Sequence, residues 1–330
     1  MIVALSLWVA ALANISSRTE VPIKEVVLRD GTRRYAVPVS IAGHAVEAGL
    51  DSGSVGLRAL PDVAAGAAHS GSDKRYSYGV GTELIGPEAD AMVSIGGLAK
   101  TIPIQAVRAI GCIASHPDCP ASRLSPDQFG IQGNGLPGQG FRAILGTGFA
   151  QSDVPNPLVA LGAHRWIIEL PLPGQRQDGR LVLNPTKEET AGFIPLALAD
   201  ARRDRKNDAV RSCLVKLGTN LKICAPTLID TGAPGIEIVN EGGRDWPEGT
   251  GGQFYFPLTD GRTASIQFQS GLRQQASHLM FVRDARVQGS RLRSGLIVYL
   301  AFDVLYDADQ GTIAIRPRPA YPGGPLASIN

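Results

Sequence analysis

Leu50-Asp51-Ser52-Gly53-Ser54-Val55-Gly56-Leu57 and Ile229-Asp230-Thr231-Gly232-Ala233-Pro234-Gly235-Ile236 are one pattern written twice. Each reads hydrophobic, Asp, hydroxyl, Gly, two residues of any kind, Gly, hydrophobic. An aspartate between a strand-forming apolar residue and a hydroxyl-glycine pair marks a strand running into a tight turn, because glycine relieves the steric limit on the backbone. One such tripeptide is ordinary turn chemistry. Two, one in each half of the chain, point to related units that each bring one carboxylate to a common axis, and so to an acid-base dyad.

The flanking residues predict how each aspartate is delivered. Tyr35 to Gly43, followed by Val46 to Leu50, alternates apolar and polar residues about a turn at Gly43-His44, predicting a hairpin that ends in Asp51. Cys213 to Cys224 predicts a second hairpin, turning at Gly218-Thr219-Asn220 and leading through Thr227-Leu228-Ile229 into Asp230. Gly 39 and Pro 23 make up close to a fifth of the 330 residues, and the apolar residues fall in short runs split by turn signals. That pattern predicts an all-β architecture, in a chain long enough for two domains with substantial cores.

Together these stretches resemble the pepsin-like aspartic proteases, the prosegment-poor bacterial members more than the gastric ones. The resemblance runs from about Tyr35 to Pro317. Ser77-Tyr78-Gly79-Val80-Gly81 resembles the family's flap, and Met92-Val93-Ser94-Ile95-Gly96-Gly97 the strand after it. Ala143-Ile144-Leu145-Gly146-Thr147-Gly148-Phe149 resembles the apolar-apolar-Gly element that threads beneath the first aspartate. Trp166 to Leu170, Gly179 to Leu183 and Gly192 to Leu196 resemble the strands that cross between the lobes, and Val304 to Ile315 the closing hairpin. Two positions depart: Arg293-Ser294 precede Gly295 where the family has two apolar residues, and Arg58 stands where many members carry a tryptophan.

The resemblance implies a bilobal fold with a cleft between two β lobes, residues 21–165 carrying Asp51 and the flap and residues 166–330 carrying Asp230. It implies that Asp51 and Asp230 share a proton and activate a water for attack on a peptide carbonyl. Ser52 and Thr231 would hold the dyad coplanar across the lobe interface, Gly53 and Gly232 would let the loops approach, and Ser54 would bond the outer oxygen of Asp51. Tyr78, Gly79, Val80 and Gly81 would add flap contacts to an extended peptide, bound by strand addition. Arg58 would alter the nearest pocket toward an acidic side chain. The function so implied is aspartic endopeptidase; the alternative is a catalytically silent protein of the same fold that binds peptides or inhibits. Both halves of the site lie in one chain, so a monomer is expected.

Ala233 stands opposite Ser54 in the repeat and supplies no hydroxyl to Asp230, which predicts a higher apparent pKa for the dyad. With an isoelectric point near 8.4, the expected optimum is mildly acidic to near neutral. Other chemistries find little support. The five histidines lack metal-ligand spacing, so no metal and no cofactor is expected. No serine lies in a Gly-x-Ser-x-Gly elbow. Gly133 to Gly140 contains a proline and lacks a Gly-Lys-Ser/Thr ending, so it reads as a loop rather than a phosphate cradle. A formal charge of +2, with only Ala201 to Arg211 densely basic, speaks against a nucleic-acid partner.

Met1 to Ala13 is apolar and free of charged side chains, too short to span a bilayer, and suits the core of a secretory signal with an Ala11-Leu12-Ala13 cleavage site. A signal segment over residues 1–20 and export follow as expectations, against a buried N-terminal strand or a truncated start. Little room remains before Tyr35 for an inhibitory prosegment. Proximity pairs Cys112 with Cys119 and Cys213 with Cys224, although four cysteines allow three connectivities.

Overall fold

The computed structural model describes residues 17–199 and 208–330. The expected signal core at Met1 to Ala13 lies outside them, as does most of the basic stretch 201–211. Strands account for nearly all the regular structure, in two sheets of fourteen and eight strands, so the all-β expectation holds. The helices Pro157–Ala160 and Ile297–Ala301 are single turns. No helix among the described residues is long and apolar enough to cross a membrane.

Period-two alternation makes the strands. Thr82–Ile95 buries Leu84, Ala89, Ala91, Val93 and Ile95 and leaves Asp90 and Met92 outside. The strand Thr19–Val27 hydrogen-bonds through Thr19–Ile23 to Gly179–Leu183 and through Lys24–Val27 to Arg33–Ala36. It thereby joins strands from both halves of the chain into the larger sheet, which also contains Arg165–Glu169, Phe302–Asp307 and Thr312–Pro317. Trp166 packs flat on Tyr306 with ring centroids 5.6 Å apart, and Phe149 meets both rings edge-on.

The aspartate-bearing strands sit in the same arrangement twice. His44–Asp51 runs parallel to Ala143–Thr147, with Asp51 opposite Gly146, and Val55–Ala59 returns antiparallel to Ala143–Thr147 and parallel to Leu98–Ala106. In the second half Lys222–Leu228 runs parallel to Arg291–Arg293, and Ile236–Val239 returns antiparallel to it and parallel to Leu279–Val282. The Arg293-Ser294-Gly295 departure fits this repeat. Ser294 is fully buried with its N–H bonded to Leu228 O at 2.9 Å. Gly295 adopts φ +60°, and a Cβ there would lie 2.1 Å from Gly235 O, so only glycine fits.

The first hairpin turns one residue earlier than its pattern predicts. Ile41 pairs with His44, leaving Ala42-Gly43 as a two-residue loop in which both φ values are positive, at 50° and 88°. This is the turn whose twist matches paired strands, and it overrides the poor fit of alanine there. The cysteines pair as proximity suggested: Cys112 with Cys119, and Cys213 with Cys224, the latter directly opposite one another in a hairpin.

Candidate active site

Leu50 and Ile229, both buried, anchor the strand ends from which the two Asp-hydroxyl-Gly turns project. The turns interlock. Ser52 N–H donates to Thr231 Oγ1 at 2.9 Å, and Thr231 N–H donates to Ser52 Oγ at 3.0 Å. Each hydroxyl in turn donates to the opposite strand: Thr231 Oγ1 to Leu50 O at 2.8 Å, and Ser52 Oγ to Ile229 O at 3.0 Å. Four buried hydrogen bonds related by a near-twofold axis therefore tie the loops together, an arrangement costly to break because any orphaned partner stays out of water.

That lock packs each carboxylate against the glycine of the opposite turn. Within its own turn each aspartate accepts a backbone N–H, Gly53 N to Asp51 Oδ1 at 3.0 Å and Gly232 N to Asp230 Oδ1 at 2.7 Å. Across the axis, a Cβ at Gly53 would lie 2.4 Å from Asp230 Oδ1, and one at Gly232 would lie 2.7 Å from Asp51 Oδ1. Burial pushes both carboxyls up from the ordinary aspartate value. For Asp230 the nearby Asp51 charge adds to burial and carries it to about 7. For Asp51 burial is opposed by the Ser54 hydroxyl, Arg58, the Gly53 N–H and Arg34. Ser54 Oγ is buried beside that carboxylate without the alignment of a full hydrogen bond.

The carboxylates open into a cavity of about 400 Å³. One wall is the hairpin of Ala68–Ser77 and Thr82–Ile95, closed by Tyr78 N–H to Thr82 O at 2.9 Å. Tyr76, Tyr78, Gly79 and Val80 line the cavity. Gly81 does not; it packs against His116 and accepts Ile113 N–H at 2.9 Å. The facing wall is charged. Arg286 donates to both Asp284 oxygens at 2.8 Å and reaches across to Tyr78 O at 3.1 Å. Arg293 pairs with Glu237 and lies under Gly79, where a Cβ would meet its Nη1 at 2.8 Å.

Several residues here were not singled out in the sequence. Arg34, 5 % exposed, donates from Nη1 to Gly232 O at 2.5 Å, from Nε to Gln132 O at 3.1 Å and from Nη2 to Asn134 Oδ1 at 2.7 Å. Burial lowers its pKa to about 10, against the pull of Asp230 and Asp51, so it remains a cation at neutral pH. Behind the turns Ser52 Oγ meets Tyr299 OH at 2.6 Å, which meets Tyr306 OH at 2.6 Å, a buried chain of hydroxyls. Tyr76 packs on Arg58: the guanidinium carbon of Arg58 lies 3.4 Å from the centre of the Tyr76 ring. Tyr78 meets Tyr76 edge-on at 5.1 Å, and its buried hydroxyl has no hydrogen-bond partner. Arg58 itself is 1 % exposed and lines a different cavity. The period-two spacing of Tyr76 and Tyr78 puts both on one strand face; nothing comparable marks Arg34.

Among the described residues no group of three His, Cys, Asp or Glu side chains could hold a metal ion. No protein-family model matches the chain. No curated protein matches it at a significant level.

Proposed function

We propose that the chain is a bilobal, pepsin-like aspartic endopeptidase, with residues 21–165 and 166–330 as its lobes. The observation that carries this reading is the reciprocal packing of Gly53 against Asp230 and Gly232 against Asp51, which leaves two buried carboxyls to share one proton. Like charges this close cannot both ionise, which is the principle on which aspartic proteases work. Asp51, with more donors and cations around it, is the ionised member; Asp230 keeps the proton.

Asp51 takes a proton from a water, whose oxygen bonds to the peptide carbonyl carbon while Asp230 gives its proton to the carbonyl oxygen. Proton return from Asp51 to the amide nitrogen then breaks the C–N bond while Asp230 takes a proton back from a hydroxyl of the tetrahedral gem-diol, releasing an amine and a carboxylic acid and restoring the singly protonated pair. An extended peptide lies along Tyr78, Gly79 and Val80, where backbone groups extend a strand. Two short-range disulfides suit an oxidising compartment, so export led by Met1 to Ala13 is part of the proposal.

The test is cleavage of a diverse peptide library from roughly pH 3 to 8, with an Asp51→Asn variant and a statine-type inhibitor alongside. Cleavage lost on substitution supports the reading. No cleavage at any pH by folded protein overturns it in favour of a binding or inhibitor protein.

A further inference from the structure

Arg58 is a cation buried inside a sheet without a carboxylate bonded to it. It stands on Val55–Ala59 opposite Ile144 on one side and Gln105 on the other. Among the described residues its side chain makes one long hydrogen bond, Nη1 to Gly56 O at 3.4 Å, and its buried Nε–H finds no partner. No ion pair to it exists among the described residues, although acids elsewhere in the molecule pair freely with arginine. Taking a guanidinium out of water costs several kcal/mol unless an opposite charge and full hydrogen bonding compensate. The flat face is satisfied by the Tyr76 ring; the donor edge is not.

Arg58 lines a cavity of about 360 Å³ that shares Tyr76 with the carboxylate cavity but touches neither Asp51 nor Asp230. Lys74 and Arg75 line it as well, and Gln105 presents a buried, unpartnered Oε1 while its amide nitrogen is held by Lys74 O and Leu84 O. Asp153 is the single acid on the lining, and it is exposed at the mouth. An unpartnered donor on one cation, a second cation on the same lining and an unpartnered acceptor beside them match the chemistry of a carboxylate with a neighbouring N–H.

We propose that this lateral cavity binds a carboxylate, which pairs with Arg58 and Lys74, and that an N–H adjoining the carboxylate is received by Gln105 Oε1. The site stands whether or not the cleft turns over peptides. Such a carboxylate comes either from a peptide, as an acidic side chain or the C-terminal residue, or from a free organic acid.

The experiment follows the arginine Nε–H resonance of Arg58 in the full-length protein, assigned with Arg58→Lys, during titration with N-acetylglycine and with its neutral isostere N-acetylglycinamide. A saturable shift with the acid, absent with the amide and weakened about threefold by Lys74→Ala, is the expected result for one partly exposed charge pair. No saturable shift, or the same shift from acid and amide, overturns the proposal. Matched peptides ending in carboxylate or carboxamide, and peptides differing only by Glu or Gln, then separate the sources. Tighter binding of the acidic peptides than of N-acetylglycine assigns the site to peptide, and equal or weaker binding assigns it to a free acid. Because the readout is binding, a silent cleft leaves the result intact.

Discussion

The Cα of Gly53 lies so close to Asp230 that a methyl group there would fall 2.3 Å from the carboxyl carbon. The two residues come from opposite halves of the chain, and no side chain larger than hydrogen fits between them. Gly53→Ala must therefore spread the loops. The expected cost is ~1–3 kcal/mol in urea unfolding, the range for overpacking. Turnover is expected to fall ~100-fold or more, the effect of misplacing reacting groups by about 1 Å. Gly111→Ala, with open space around it, serves as the neutral control.

Ser52 and Thr231 exchange backbone and hydroxyl hydrogen bonds, so their contributions should not add. A double-mutant cycle with Ser52→Ala and Thr231→Val should give a coupling energy of ~1–3 kcal/mol in denaturant unfolding. Additive effects would mean that the loops are held by packing alone.

Asp230, raised by burial and by Asp51 to about 7 in the folded chain, binds its proton more tightly folded than unfolded. Its contribution to stability is therefore complete below the unfolded value of 3.8 and is lost as pH rises toward 7. Asp230→Asn should leave stability at pH 4 nearly unchanged and raise it at pH 8 by on the order of 3 kcal/mol. Urea titrations at the two pH values decide this, with or without an assay.

On the proposed endopeptidase reading the same carboxyl would set the alkaline limb of activity. Hydrolysis would need one proton on the pair, so kcat/KM should fall as pH rises through about 7 and should peak at mildly acidic to near-neutral pH. A maximum below about pH 3 would contradict the raised dyad.

Arg286 holds the hairpin tip through Tyr78 O. Arg286→Ala should leave that carbonyl only its Gly81 N–H and raise amide hydrogen exchange at Gly79 to Gly81 about fivefold, the worth of one ~1 kcal/mol hydrogen bond. Unchanged exchange would show that packing alone keeps the tip in place.

What the sequence disclosed was short-range or repeated. The Asp-hydroxyl-Gly turns were legible because the pattern occurs twice, and Cys213–Cys224 because a hairpin puts the two residues opposite each other. The charged contacts were not. Arg34 to Gly232, Arg286 to Tyr78 and Arg58 to Tyr76 each join residues far apart in the sequence or on different strands, and an arginine that ends in a core looks the same in sequence as one that ends in water. Arg58 shows the limit. Its guanidinium lies over the ring of Tyr76 and lines another cavity, and because Tyr76 and Tyr78 share one face the period-two pattern could not choose between them.

The strand Thr19–Val27 also constrains the order in which the molecule can be completed. A ribosome makes it well before Gly179–Leu183, the partner of its outer end, and the Thr231 turn that locks onto Ser52 lies 179 residues beyond Ser52. Pairings this distant in sequence form slowly and after the local hairpins. An unfinished chain therefore carries Asp51 without Asp230, and hydrolytic competence would arrive only when synthesis of both halves is done.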